Sequence, residues 1–98
     1  DAQVTAAKES PCPVTLELFA GENYAFDDVK TQAEAALRAL FGELAVGQPL
    51  YIARIIGTVM AVPGVENCRL TAPAADQPGA ERSLITLGEL TVTKGAEA

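Results

Sequence analysis

Between Gly47 and Val65 the chain sets out a loop, a helix start, an apolar helix, a helix stop and a strand start within nineteen residues. Gly47-Gln48-Pro49 is a short connector. Its proline suits the first turn of a helix, where a backbone N–H would have no intrahelical partner. Ile52, Ile55, Ile56, Val59 and Met60 form an apolar stripe with Arg54 and Thr58 off it, which predicts a helix over 51–62. Pro63 disfavours helical geometry at Val62, and Gly64 completes the turn into the next strand. Gly57 weakens the helix interior by about 1 kcal/mol relative to Ala, and close helix packing is the expected compensation. So tightly punctuated a segment leaves few ways for the flanking chain to fold.

The flanks supply the other elements. Val14, Leu16 and Leu18 alternate with Thr15 and Glu17, the period-two pattern of a strand with one buried face, and Gly21-Glu22-Asn23 ends it. From about Asp27 to Phe41 the period lengthens. Phe26, Val29, Ala33, Ala36, Leu37, Leu40 and Leu44 recur at three and four residues, as in an amphipathic helix. Asp27 or Asp28 suits its cap, Glu34 and Arg38 an i,i+4 pair, and Gly42 a left-handed stop. Val65–Thr71 reads as a strand with Cys68 and Leu70 on one face and Asn67 and Arg69 on the other. Pro73, Pro78 and Gly79 mark 72–80 as a surface loop. The chain then passes through Leu84 and Leu87-Gly88 into a last alternating strand, Leu90-Thr91-Val92-Thr93.

The order is therefore β-α-α-β-β, an α+β fold with a three- to four-stranded, mainly antiparallel sheet and two antiparallel helices on one face. The strand after the helices is expected to run antiparallel to the strand before them, and the last two strands to form a hairpin-like pair. All 98 residues make one domain, expected to be excised from a longer chain. Residues 1–13 are expected to be a linker or edge strand, with Gln3–Ala7 a short strand or linker and Lys8–Pro13 a proline-punctuated connector. Residues 94–98 are expected to be a flexible tail.

Composition excludes several function classes. Thirteen acidic against seven basic residues give a net charge of -6, and the bases Lys8, Lys30, Arg38, Arg54, Arg69, Arg82 and Lys94 are scattered singly. Nucleic-acid binding needs them clustered. Arg54 and Arg69 read as solvated surface charge rather than partners in intersubunit ion pairs. Histidine is absent, which removes His-activated nucleophiles and the commonest metal ligand. Asp27-Asp28, the one adjacent acid pair, is explained by a helix start. Ser10 and Ser83 are expected in polar loops, without a partner in view. The glycines follow no phosphate-cradle spacing. Tyr24 and Tyr51 are not interleaved with bases as a stacking platform requires, and Tyr51 is expected to pack with its ring in and its hydroxyl out. No apolar run approaches the roughly twenty residues that cross a bilayer. Cys12 and Cys68 fit neither a metal site nor a disulfide framework, and Cys68 falls at an apolar strand position. The expectation is no enzyme, no catalytic, cofactor-binding or metal-binding residue, no cofactor, no nucleic-acid partner and no small-molecule ligand.

The ordered pieces resemble the C-terminal region of the baseplate J-like family of phage tail proteins. The resemblance is carried by Val14-Thr15-Leu16-Glu17-Leu18, by Gly21 to Tyr24 leading into the Ala-rich stretch Val29 to Leu40, and by Gly47-Gln48-Pro49-Leu50-Tyr51. It continues through Ala53-Arg54-Ile55-Ile56, Val62-Pro63-Gly64-Val65, Thr71-Ala72-Pro73 and Leu87-Gly88-Glu89-Leu90-Thr91-Val92-Thr93. It covers roughly residues 3 to 93; no single motif is specific, and the ordered set is considerably more specific than any one of them. The sequence departs from the pattern at Cys68, where a Val would be expected, and at Cys12 in a proline-rich connector. The resemblance implies a structural, wedge-forming component of a phage or prophage contractile-tail baseplate. It implies partners among other baseplate and tail proteins in an oligomeric assembly, and a place in the virion tail after assembly in the host cytoplasm. Helix ends and the Pro73–Arg82 loop are the expected contact surface. The alternative is a small ligand-sensing or regulatory α+β module; a secreted adhesion-like domain is a more distant third.

Overall fold

A computed structural model of the chain describes residues 8–95. The elements follow the order β1 (Lys8–Ala20), α1 (Phe26–Gly42), α2 (Ile52–Met60), β2 (Val65–Ala72) and β3 (Ser83–Lys94). The fold is α+β, as expected, with a three-stranded sheet in the order β2-β1-β3. The expected segment Gln3–Ala7 and residues 96–98 of the expected tail lie outside the described residues.

Alternation on β1 decides where the core sits. Cys12, Val14, Leu16 and Leu18 are buried, while Thr15, Glu17 and Phe19 between them are half-exposed. One face of β1 therefore carries both helices. The α1 stripe delivers Val29, Ala33, Leu37 and Leu40 to it, and α2 delivers Ile55 and Val59. Full burial of each such aliphatic side chain is worth about 1.5–3 kcal/mol, so this layer dominates the stability of the fold. No charged or polar residue is buried among the described ones. α1 packs over β1 and β3, and α2 over β2. No helix among the described residues is long and apolar enough to cross a membrane.

The strand pairing departs from expectation. β2 runs antiparallel to β1, from Thr15↔Ala72 to Ala20↔Val65, as foreseen. β3 does not pair with β2. It lies on the other side of β1 and runs parallel to it, from Lys8↔Ser83 to Leu18↔Lys94, so the sheet is mixed and has no closing hairpin. The ten-residue loop Pro73–Arg82 makes this reachable. It spans about 33 Å when extended, against the roughly 25 Å from Ala72, opposite Thr15, to Ser83, opposite Lys8, which combines seven residues along β1 with two strand spacings across it.

Lys8–Pro13 is not a connector but the first half of β1. The Lys8 N–H donates to the Arg82 carbonyl, and the Leu18 carbonyl accepts from the Gly95 N–H, each at 2.9 Å. Even-numbered residues of β1 thus turn their backbone groups toward β3. Pro11 and Pro13 fall on the opposite side, where β2 has already ended at the partner of Thr15. A proline tolerates a strand where its absent N–H would meet no partner. Lys94, expected to begin the tail, closes β3 opposite Leu18. Between Cys12↔Leu87 and Val14↔Leu90, β3 uses three residues where β1 uses two. A Cβ on Gly88 in that bulge would lie 3.2 Å from the Cys12 carbonyl carbon, so the backbones meet closely where the side chain is missing.

Local details also differ. The residue before α1 is Ala25, and no side chain among the described residues caps it; Asp27 and Asp28 sit inside the first turn, favoured there by the helix dipole. Gly42 stays within the helix, and right-handed Glu43 follows it. Proline-49 geometry does not open α2, because Leu50 is held extended by reciprocal hydrogen bonds with Gln77 of 2.8 and 2.9 Å. α2 therefore starts at Ile52 and ends at Met60, shorter than the 51–62 expected. A Cβ on Gly57 would meet no described atom within 4 Å, so close packing does not explain that glycine. Tyr51 is 53% exposed rather than packed ring-in. Glu34 and Arg38 form no ion pair among the described residues; the pairs that do form are Glu43–Arg54 at 3.5 Å and Glu17–Arg69 at 3.6 Å.

Candidate functional site

Reactive groups are not brought together. No three His, Cys, Asp or Glu side chains among the described residues are placed to hold a metal ion. Ser10 and Ser83 lie in strands rather than the expected loops, Ser10 exposed on β1 and Ser83 opening β3, because the proline-punctuated stretch is itself part of β1. Cys12 and Cys68 are free. Cys68 pairs with Leu18, six residues along β1 from Cys12, a separation of about 20 Å that no disulfide spans. Burial pushes both thiols above the ordinary value of 9.0. A thiol held protonated is a weak nucleophile and a weak ligand.

The arrangement instead offers surfaces. At one end the helix connector and the crossover loop Pro73–Arg82 are tied together. Gly47 donates its N–H to the Ser83 carbonyl at 2.8 Å, and Gly79 lies so close to the Gly47 carbonyl that a Cβ there would overlap it. The Asp76 carboxylate accepts from the Ile52 N–H at 2.8 Å and caps α2 from the far side of the sequence. No local pattern could have announced this cap, because its two residues are 24 apart. This knot leaves Val46 and Tyr51 exposed at 52% and 53%. Beside it, a groove of about 270 Å³ between the helices is lined by Ala36, Ala39, Leu40, Thr58 and the Glu43–Arg54 pair.

At the opposite end the turn after β1 meets the turn before β2. Gly21 donates its N–H to the Gly64 carbonyl at 2.8 Å, and the Tyr24 ring lies over Gly64. Gly64 has φ +94°, a conformation that L side chains rarely adopt. Tyr24 remains 54% exposed, and Met60 at the end of α2 is also exposed. An open hollow of about 280 Å³ lies here, lined by Phe19, Glu22, Tyr24, Phe26, Lys94 and Gly95.

The sheet face away from the helices is polar. Thr15 pairs with Thr91, and Glu17 with both Arg69 and Thr93. The Arg69 guanidinium forms an ion pair with Glu17 and stands 5.9 Å from the centroid of the Phe19 ring. Both arginines read as solvated charge are thus held in ion pairs within the chain, at exposed positions where such pairs are worth less than about 1 kcal/mol. Of the surface expected from the sequence, the Pro73–Arg82 loop is present and ordered against the helix connector. The expected helix ends carry the exposed Tyr24, just before α1, and Tyr51, at the start of α2, which the sequence does not single out by residue.

Residues 12–93 match the family model of the baseplate J-like protein C-terminal domain. No curated protein matches the chain.

Proposed function

Because the chain belongs to the baseplate J-like protein C-terminal domain family, a structural and non-enzymatic family of phage baseplate components, we propose that it is a wedge-assembly domain of a contractile-tail baseplate. The observation that carries this reading is the family match itself, which spans the core of every element from β1 to β3. Family membership implies contacts with other baseplate proteins. The exposed apolar side chains Val46 and Tyr51 at the loop knot, and Tyr24 and Met60 at the opposite end, are the contact surface that we assign to them. Exposed aromatics and Met are the residue types that anchor protein interfaces. The family is described as a C-terminal domain, and we place this chain accordingly as one domain of a longer wedge protein.

The test is co-purification with the neighbouring tail proteins of the same phage or prophage. Val46→Glu with Tyr51→Glu, and separately Tyr24→Glu with Met60→Glu, are expected to abolish wedge formation at one end or the other. Circular dichroism is expected to show the fold intact in both. Normal wedge assembly by both variants would overturn the assignment.

A further inference from the structure

The strands nearest the two ends of the chain are hydrogen-bonded to each other, and they are parallel. β1 begins at Lys8 opposite Ser83 and reaches Leu18 opposite Lys94. Lys8 and Lys94 therefore lie at opposite ends of one strand pair, in a molecule measuring 56 × 22 × 18 Å. Its radius of gyration of 15.0 Å exceeds the roughly 13 Å of a compact domain of this length. The excess length follows the strand pair.

This geometry decides what tension between the chain ends does to the fold. Pulling Lys8 one way and Lys94 the other drives β1 and β3 to slide past each other along their own axes. The inter-strand hydrogen bonds lie across that direction and share the load from Lys8–Arg82 to Leu18–Gly95. In an antiparallel terminal hairpin the same pull would open the bonds one at a time from one end. Here no bond is first.

Three further features oppose the slide. A one-residue slip would turn Val14, Leu16 and Leu18 out from under the helices, since side chains alternate faces with period two. The smallest slip that preserves their burial is two residues, about 7 Å, by which distance every hydrogen bond of the original register is broken. The bulge at Gly88, closed against Cys12 and Pro13, interrupts the ladder at one fixed register. The prolines of β1 also sit where they remove no donor from this ladder, because Pro11 and Pro13 face the side that β2 does not reach.

We propose that the domain is a tension-bearing link, with the β1–β3 pair acting as a shear clamp that holds force along the long axis. The proposal rests on the strand pairing and not on the wedge assignment, and the two can fail separately.

Single-molecule force spectroscopy tests it directly. The 98-residue chain, flanked by marker domains and pulled through its ends, is expected to rupture in one distinct force peak. A comparison of directions uses a Cys12→Ala, Cys68→Ala background. Handles at Lys8→Cys and Lys94→Cys load the pair in shear, and handles at Lys8→Cys and Ser83→Cys peel it from one end. Rupture in the shear direction is expected at several-fold higher force, with the two proteins showing the same denaturant midpoint. Equal forces in both directions would overturn the clamp. If loss of the buried Cys12 thiol prevents folding, the end-to-end pull of the unsubstituted chain decides, and extension without a force peak would overturn the proposal.

Discussion

The carboxylate of Asp76 accepts a 2.8 Å hydrogen bond from the backbone N–H of Ile52, so a loop between two strands closes the open end of a helix whose last residue, Met60, lies sixteen positions earlier in the chain. The bond supplies a partner to one of the helix's free donors and puts negative charge at the positive end of its dipole. Replacing Asp76 by Ala is expected to cost about 1 kcal/mol, roughly 4–8 °C in melting temperature for a domain of this size. Asp76→Asn is expected to recover most of it. Thermal unfolding of both variants checks the order.

Gly64 is expected to be intolerant of a side chain. Its φ of +94° disfavours any L residue, and a Cβ would lie 2.7 Å from Tyr24 Cδ1 and 2.9 Å from Val29 Cγ2. Gly64→Ala is expected to destabilise by about 2 kcal/mol or more, adding backbone strain to overpacking. In a Tyr24→Ala background the penalty is expected to shrink, because one of the two obstructions is gone. A double-mutant cycle by urea unfolding measures the coupling.

Gly57 presents the reverse case. It lies inside α2, and a Cβ there would meet no described atom within 4 Å. Gly57→Ala is expected to stabilise the isolated chain by up to about 1 kcal/mol through helix propensity alone. A loss of stability on urea unfolding would show that the glycine is needed within the fold.

Arg82 has φ +64°, a left-handed conformation unusual for a residue with a side chain, at the turn into β3. Its carbonyl accepts the Lys8 N–H at the start of the β1–β3 ladder. Arg82→Gly is expected to relieve roughly 1 kcal/mol of strain, offset in part by the greater freedom of glycine in the unfolded chain. The expected net change in the urea midpoint is small and positive.

Stability is expected to fall at alkaline pH through the two thiols. Burial raises Cys12 and Cys68 above 9.0 in the folded chain. As pH rises through that value the unfolded thiols lose protons first, the native state binds more, and unfolding becomes easier with each further step. Below it the contribution is fully present. Urea midpoints from about pH 7 to pH 10.5 are expected to decline less steeply in a Cys12→Ala, Cys68→Ala variant. Everything apart from the two thiols is common to both proteins and cancels in the difference.

Local pattern was a sound guide to the elements and to what they bury. Val14, Leu16 and Leu18 announced the buried face of β1, and the stripe from Val29 to Leu44 announced the face of α1. It was a poor guide wherever a residue's conformation depends on a distant partner. Pro49 suited the first turn of a helix, but the bridge to Gln77 holds the following Leu50 extended and α2 begins beyond it. Tyr51 looked like a packing residue but lies just before α2, on the outside. The proposed contact surface was expected at helix ends and the loop Pro73–Arg82, but which side chains stay exposed there, such as Tyr24 and Met60, follows from how the two turns meet.

The sequence alone determined the order β-α-α-β-β, the buried faces of the strands and helices, and the absence of His-based chemistry. These depend on residue spacing and type, which are properties of the chain at short range. Only the tertiary structure decided which edge of β1 receives β3. Backbone hydrogen bonds pair strands without regard to residue identity, so the choice between a hairpin with β2 and a parallel seat beside β1 is written in no local pattern. Pro11 and Pro13 show the same division. Read locally they break a strand; placed in the sheet, they point their missing donors to the side where no strand lies, and β1 runs through them.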